Sequence, residues 1–282
     1  MPTDQELKDL VKKKYSEIAL QEKDTNQSSC CGAGGCSTEV YNIMTDDYTN
    51  LDGYEADADL GLGCGLPTQF AKIKAGDVVI DLGSGAGNDV FIARTEAGET
   101  GRVIGIDFTP AMINKAIANA ARLGFKNVEF RQGDIEHMPV GDNTADVIVS
   151  NCVLNLVPNK QGVISEIFRV LKANGHFSIS DIVLKGDLPK PLQEAAEMYA
   201  GCVSGAIQKD RYLQLITDAG FINLTIQKEK PIVIPDDILR QYLPETELTA
   251  FKNSDMGIFS VTVYAEKPVQ SAAPCCGSDC CK

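Results

Sequence analysis

Along the chain the apolar positions change period several times, and each change marks an element. Between Asp4 and Gln21, Leu7, Leu10, Val11, Tyr15 and Ile18 recur at helical spacing among charged residues, which predicts an amphipathic N-terminal helix. From Asp77 onward, short β-branched runs alternate with helical stretches, the pattern of βαβ units built on a parallel sheet. The runs predict strands at Asp77–Leu82, Arg102–Ile106, Val128–Gln132, Asp146–Ser150 and His176–Asp181, and helices at Asn88–Thr95, Pro110–Leu123 and Gln161–Leu171. Pro110 suits a first helical position and Gly124 a helix stop. After Lys185-Gly186-Asp187-Leu188-Pro189 the rhythm shifts, with helices near Pro191–Gly201 and Arg211–Ala219 and strands near Asn223–Lys228 and Ile258–Glu266 that extend or cap the sheet.

This pattern divides the chain into four parts. Residues 1–59 hold the first helix and a loop rich in Cys and Gly, 60–184 an α/β unit with a Rossmann-like sheet, 185–269 an α+β part expected to cover the acceptor, and 270–282 a Cys-rich tail without periodicity. Composition adds little beyond class: 282 residues, 44% hydrophobic and 23% charged, describe an ordinary globular α/β protein. Charge excludes more. A net charge of −13 argues against nucleic acid as a partner and against acidic membrane surfaces, because both are bound through clustered Lys and Arg. No apolar run approaches the ~18 residues that a membrane span needs, and Met1-Pro2-Thr3-Asp4-Gln5-Glu6 does not open a secretory leader, so the expected location is cytoplasmic.

The first strand runs into Asp81-Leu82-Gly83-Ser84-Gly85-Ala86-Gly87-Asn88-Asp89 and opens a helix. Glycines in a G-x-G-x-G spacing let the backbone turn tightly and approach a bound group, and an acidic residue precedes them on the strand. The second strand ends in Gly105-Ile106-Asp107, where a carboxylate can accept from ribose hydroxyls. The third ends in Gly133-Asp134-Ile135, where Asp134 can accept from an adenine amino group and Ile135 can pack on the ring. Three such turns at successive strand ends define one crevice at the switch point of an open sheet. Over roughly residues 60–184 the combination resembles the class I S-adenosylmethionine methyltransferases. The resemblance implies that cofactor as ligand, with Asp81, Gly83, Ser84, Gly85, Gly87, Asp107, Asp134, Ile135 and Asn151 as its candidate contacts. A nicotinamide cofactor is the rival, and it fits the glycine spacing less well.

Ten cysteines remain to be explained. Six of them, Cys30, Cys31, Cys275, Cys276, Cys280 and Cys281, cluster near the ends, and a chain with this many apolar strands needs no disulfide staples; reduced thiols with a chemical task are the better reading. Any single buried cysteine is ordinarily a small hydrophobe. Position argues otherwise here, since Cys152 follows the fourth strand, Cys64 sits between glycines before the first, and Cys202 follows a glycine beyond the fifth. The glycine-flanked Cys64, the Ser150-Asn151-Cys152-Val153-Leu154-Asn155-Leu156-Val157 run and the Gly201-Cys202 run with Gly205 are similar to the arsenite methyltransferases, from about Tyr15 to Lys267. That resemblance implies Cys64, Cys152 and Cys202 as ligands of trivalent arsenic, and a further N-terminal thiol in a disulfide relay, for which Cys30, Cys31 and Cys36 compete.

The chemistry is consistent with that assignment. Trivalent arsenic is soft and takes three thiolates in a pyramid whose lone pair points outward, whereas zinc prefers four ligands, commonly in short Cys-x-x-Cys pairs that the core lacks. A lone pair attacking a sulfonium methyl needs no general base, so neither of the two histidines, His137 and His176, has a required role. The family also implies arsenite or methylarsenite as substrate, thioredoxin or glutathione as reductant, and a disulfide between Cys30 or Cys31 and Cys64 during the cycle. The C-terminal Cys cluster either captures soft ions or is dispensable. Two other readings stand: a methyltransferase for a quinone or other small organic acceptor, and a non-catalytic thiol protein that binds soft metals.

Overall fold

The computed structural model describes residues 3–20, 46–187, 189–191, 205–233, 236–254 and 256–269. The predicted helix near Pro191–Gly201, the loop around Cys30, Cys31 and Cys36, Cys202 and the C-terminal tail lie wholly or almost wholly outside those residues. The chain opens with α1 (Asp4–Ala19), whose start is a capping box: Glu6 donates its N–H to Thr3 Oγ1 while Thr3 N–H donates to the Glu6 carboxylate.

The sheet alternates with helices in the predicted order. It comprises β1 (Val78–Leu82), β2 (Arg102–Asp107), β3 (Val128–Gln132), β4 (Ala145–Asn151) and β5 (Leu171–Lys185), with α2 (Pro67–Phe70) before β1, α3 (Asn88–Ala97) after it, α4 (Pro110–Leu123) after β2 and α5 (Lys160–Val170) before β5. After them come β6 (Ile207–Gln208), α6 (Lys209–Asp218), β7 (Ile222–Ile232), α7 (Asp236–Tyr242), α8 (Glu245–Lys252) and β8 (Gly257–Glu266). Among the described residues the strand order is β3-β2-β1-β4-β5-β8-β7, with β6 paired to β5. Strands β1 to β5 are parallel, and β8 is antiparallel to both neighbours. The late strands therefore extend the sheet rather than cap it.

Pleat period decides which side chains fill which face. Val79, Val103, Val147 and Val149 point to one face, where Val90, Phe91 and Ala97 of α3 cover them. Ile80, Leu82, Ile104 and Ile148 point to the other, under Val163, Ile164 and Ile167 of α5 and Ile216 of α6. A third cluster joins Cys64, Cys152 and Ile182 of β5 to Leu239 of α7, to Leu243 in the turn that follows it and to Leu248 of α8.

Boundaries differ from expectation where a polar residue is buried or an edge tolerates a breaker. The fifth strand, expected to end at Asp181, continues to Lys185, because Ser178, Ser180 and Asp181 are fully buried and the ladder to β8 runs from His176 to Lys185. It also begins earlier: Leu171, expected in the helix, turns to extended backbone and pairs with Ala145, and the register then shifts before His176 meets Val147. Strand β7 passes through Pro231, which an edge strand can carry. Phe177 is fully buried and meets Phe221 edge-to-face at 4.9 Å. Phe177→Ala is expected to lower the urea-unfolding free energy by about 3–5 kcal/mol, the usual cost of deleting a buried ring.

Candidate active site

The carboxyl ends of β1, β2, β3 and β4 converge on one cavity of about 1090 Å³, counted with its open mouth. Asp81, Gly83, Ser84, Gly85, Asp107, Asp134, Ile135, Asn151 and Cys152 all line it, so the structure brings these sequence-predicted residues together. Gly87 is not among the lining residues. Its φ is +101° and an added Cβ would lie 2.8 Å from the Phe91 ring, so glycine serves the turn and helix packing there. Gly85 has φ +52° with open space where a Cβ would stand, the condition for close approach of a ligand to its backbone. His176 is remote from the cavity, bonded through Nε2 to the Ala71 carbonyl at 2.6 Å.

Several lining residues carried no functional expectation. Lys8 and Tyr15 reach the cavity from α1, and Tyr48, Asp59 and Asp89 complete its wall. Lys8 bonds Asp134 Oδ2 at 2.7 Å and also pairs with Glu136, tying the N-terminal helix to the end of β3. Asp134 Oδ1 accepts the Glu136 N–H at 2.9 Å. Only Asp89 had a signal, inside the glycine motif; an acidic residue in a first helical turn is ordinarily explained by the helix dipole.

Electrostatically the cavity is one-sided. Asp59, Asp81, Asp89, Asp107 and Asp134 face Lys8, the single basic residue among the described lining residues. Asp107 is buried, with Oδ2 accepting from Gly85 N–H at 3.0 Å and Oδ1 from Thr109 N–H at 2.8 Å; burial raises its pKa, and those N–H groups pull it back. Burial, and then the charges of Asp89 and Asp107, push the Asp81 carboxyl well above the usual range. Asp89 is pushed up to about 6 by burial, against hydrogen bonds from Tyr48 and Asn151. Tyr48 is buried too, and burial followed by the Asp89 charge keeps its phenol neutral.

Beside this cavity Cys64 and Cys152, 88 residues apart in sequence, are joined by a disulfide with their Cα atoms 5.8 Å apart. The N-terminal thiols Cys30 and Cys31, expected to pair with Cys64 during the cycle, lie outside the described residues; here Cys64 is bonded to Cys152, because the loop before α2 and the turn after β4 meet at the same strand end. Both are buried, and Cys152 holds a left-handed backbone with φ +59° while donating its N–H to the Ser180 carbonyl at 2.8 Å. Among the described residues no cluster of three or more His, Cys, Asp and Glu is disposed to hold a metal ion.

Comparison with known proteins agrees with this geometry. A methyltransferase domain family matches residues 73–220. An arsenite methyltransferase of Halobacterium salinarum is 37% identical over 94% of this chain and 68% of its own length, and one of Aquipseudomonas alcaligenes 31% identical over 83% and 67%. The crystal structure of an arsenic(III) S-adenosylmethionine methyltransferase from Chlamydomonas reinhardtii superposes with a TM-score of 0.64 at 30% identity, covering 83% of this chain and 75% of that one. Fold and cavity together thus define a class I, S-adenosylmethionine-dependent methyltransferase. Within that class the chain belongs to the arsenite methyltransferase family.

The residues present fit S-adenosylmethionine. Ser84 Oγ and Asn88 Oδ1 are buried in the cavity wall with no protein partner, and an acid-lined chamber matches a sulfonium and an ammonium while opposing the pyrophosphate of a nicotinamide dinucleotide. A raised carboxylate costs stability once it ionises: the Asp89 contribution is whole below pH 4 and is lost as pH rises through about 6. Asp89→Asn should therefore gain stability relative to the wild type between pH 4 and pH 7, by an amount on the order of 3 kcal/mol, read from urea melts at both pH values.

Proposed function

We propose that this protein methylates trivalent arsenic held by Cys64, Cys152 and Cys202, with S-adenosylmethionine as methyl donor. The observation that carries the reading is the meeting of Cys64 and Cys152 at the wall of an acid-lined cofactor cavity. When bound, the cofactor supplies an electrophilic sulfonium methyl. Asp107 would hold its ribose, Ile135 and Asp134 its base, and Asp81 its ammonium, while Gly85 admits it to the backbone. Once reduced, the two thiols stand close enough to share one soft, three-coordinate atom, and arsenite and methylarsenite both meet that description. The protein's part is orientation, which can supply roughly 7–11 kcal/mol of a displacement barrier.

Methylation formally oxidises arsenic by two electrons, and its return to the trivalent state takes two electrons back. Two thiols supply them, losing two protons and closing to a disulfide. The Cys64–Cys152 bond is the form in which such a step leaves these residues. A Cys30 or Cys31 thiolate then attacks the sulfur of Cys64 and frees Cys152, and thioredoxin or glutathione reduces the new disulfide. We place the protein in the cytoplasm, where such reductants keep thiols reduced. No helix among the described residues is long and apolar enough to cross a membrane.

Turnover of arsenite with S-adenosylmethionine and a thiol reductant, followed by mass spectrometry of methylated products, tests the reading. Wild type is expected to give products and Cys152→Ser at least 100-fold less. Cofactor binding with no product from wild type would move the assignment to an organic acceptor. Replacing Cys30 and Cys31 together by Ser should preserve a first turnover and suppress later ones; undiminished multiple turnover would remove them from the relay.

A further inference from the structure

The side chain of Asn151, the last residue of β4, turns away from the role its position in the cavity wall invites. Its Oδ1 accepts the Cys64 N–H at 3.0 Å and its Nδ2 donates to the Gly65 carbonyl at 2.8 Å, so one amide grips both polar edges of the Cys64-Gly65 segment. Nδ2 also donates to the Tyr48 hydroxyl and lies 3.4 Å from Asp89 Oδ2. The Tyr48 hydroxyl in turn stands 3.0 Å from the Gly65 carbonyl and 3.1 Å from Asp89 Oδ2, sharing its one proton between two acceptors. An amide offers one acceptor oxygen and two donor hydrogens, and here each side of it is engaged within the protein.

The glycines flanking Cys64 belong to the same arrangement. A Cβ at Gly63 would lie 2.7 Å from Asn151 Nδ2, and one at Gly65 would lie 2.5 Å from Ser180 Oγ. Ser260 Oγ donates to the Cys64 carbonyl at 2.6 Å, which fixes the other end of that residue. The segment therefore approaches Asn151 of β4 through Gly63, and Ser180 of β5 through Gly65, more closely than any side chain permits.

We infer that Asn151 is a positioning residue rather than a cofactor contact: it holds Cys64 at the distance from Cys152 at which the two thiols act as a pair, with Tyr48 and Asp89 fixing its amide. The inference rests on those two thiols working together, as in the function proposed above, and on nothing further in that function. Its consequence is quantitative. Two thiols held in place form a disulfide far more readily than two that must find each other, which is an effective concentration.

That quantity is measured by equilibrating the reduced full-length protein with a glutathione redox buffer, in which the protein dithiol and oxidised glutathione give the protein disulfide and two reduced glutathiones. Alkylation and peptide mass spectrometry then give the Cys64–Cys152 constant alone. Asn151→Ala is expected to lower that constant at least ten-fold, and the fall should exceed any loss of S-adenosylmethionine affinity by about ten-fold. Tyr48→Phe keeps the buried ring and removes only the hydroxyl, so it serves where Asn151→Ala does not fold; a fall of three-fold or more is expected from it. An unchanged constant in either variant, or a fall matched by an equal loss of cofactor affinity, would overturn the inference. Neither arsenic nor methyl transfer enters this equilibrium, so absence of arsenite turnover in the wild type would refute the proposed function and leave this result standing.

Discussion

A parallel sheet buried on both faces leaves its backbone and side chains one place to meet a ligand, the carboxyl ends of its strands. The candidate functional groups among the described residues are arranged around that constraint. Alternate residues of β1, β2 and β4 are committed to two apolar layers, so the functional groups crowd into the turns Asp81–Gly85, Asp107–Thr109, Gly133–Ile135 and Asn151–Val153. The N-terminal helix and the segments after β5 then close over what the sheet leaves exposed, the first through Lys8 and the second through an apolar cluster that includes both Cys64 and Cys152.

Crowding carboxylates at buried strand ends has an electrostatic cost that the fold alone does not offset. Asp107 is partly compensated by two backbone N–H groups, Asp89 by Tyr48 and Asn151, whereas Asp81 is raised by burial and further by Asp89 and Asp107. A cationic ligand relieves all three together.

Much of this was legible in the sequence, for reasons that differ by residue. Strand and helix periods are local, and the glycine-rich turn joined to Asp107 and Asp134 marks a crevice through spacing alone. Cys64 and Cys152 were picked out as ligands, but their mutual bond was not: it depends on a loop and a strand end meeting across 88 residues, and no local pattern encodes that. Tyr48 and Lys8 were missed because a tyrosine in a loop and a lysine on an amphipathic helix have ordinary explanations, and only tertiary packing turns them inward. Asp181 misled in the opposite way, since a carboxyl in an apolar run reads as a strand end until the structure shows it buried.

One backbone angle explains how two consecutive residues can serve the same neighbour. In a regular strand Asn151 and Cys152 would project to opposite faces, and only one of them could address the loop at Cys64. The left-handed turn at Cys152 breaks that alternation, so that the amide of one and the sulfur of the next both reach the same short segment. Backbone preference and side-chain chemistry are thus opposed at this position. Glycine would relax the turn and forfeit the sulfur; cysteine keeps the sulfur at the expense of local conformational comfort.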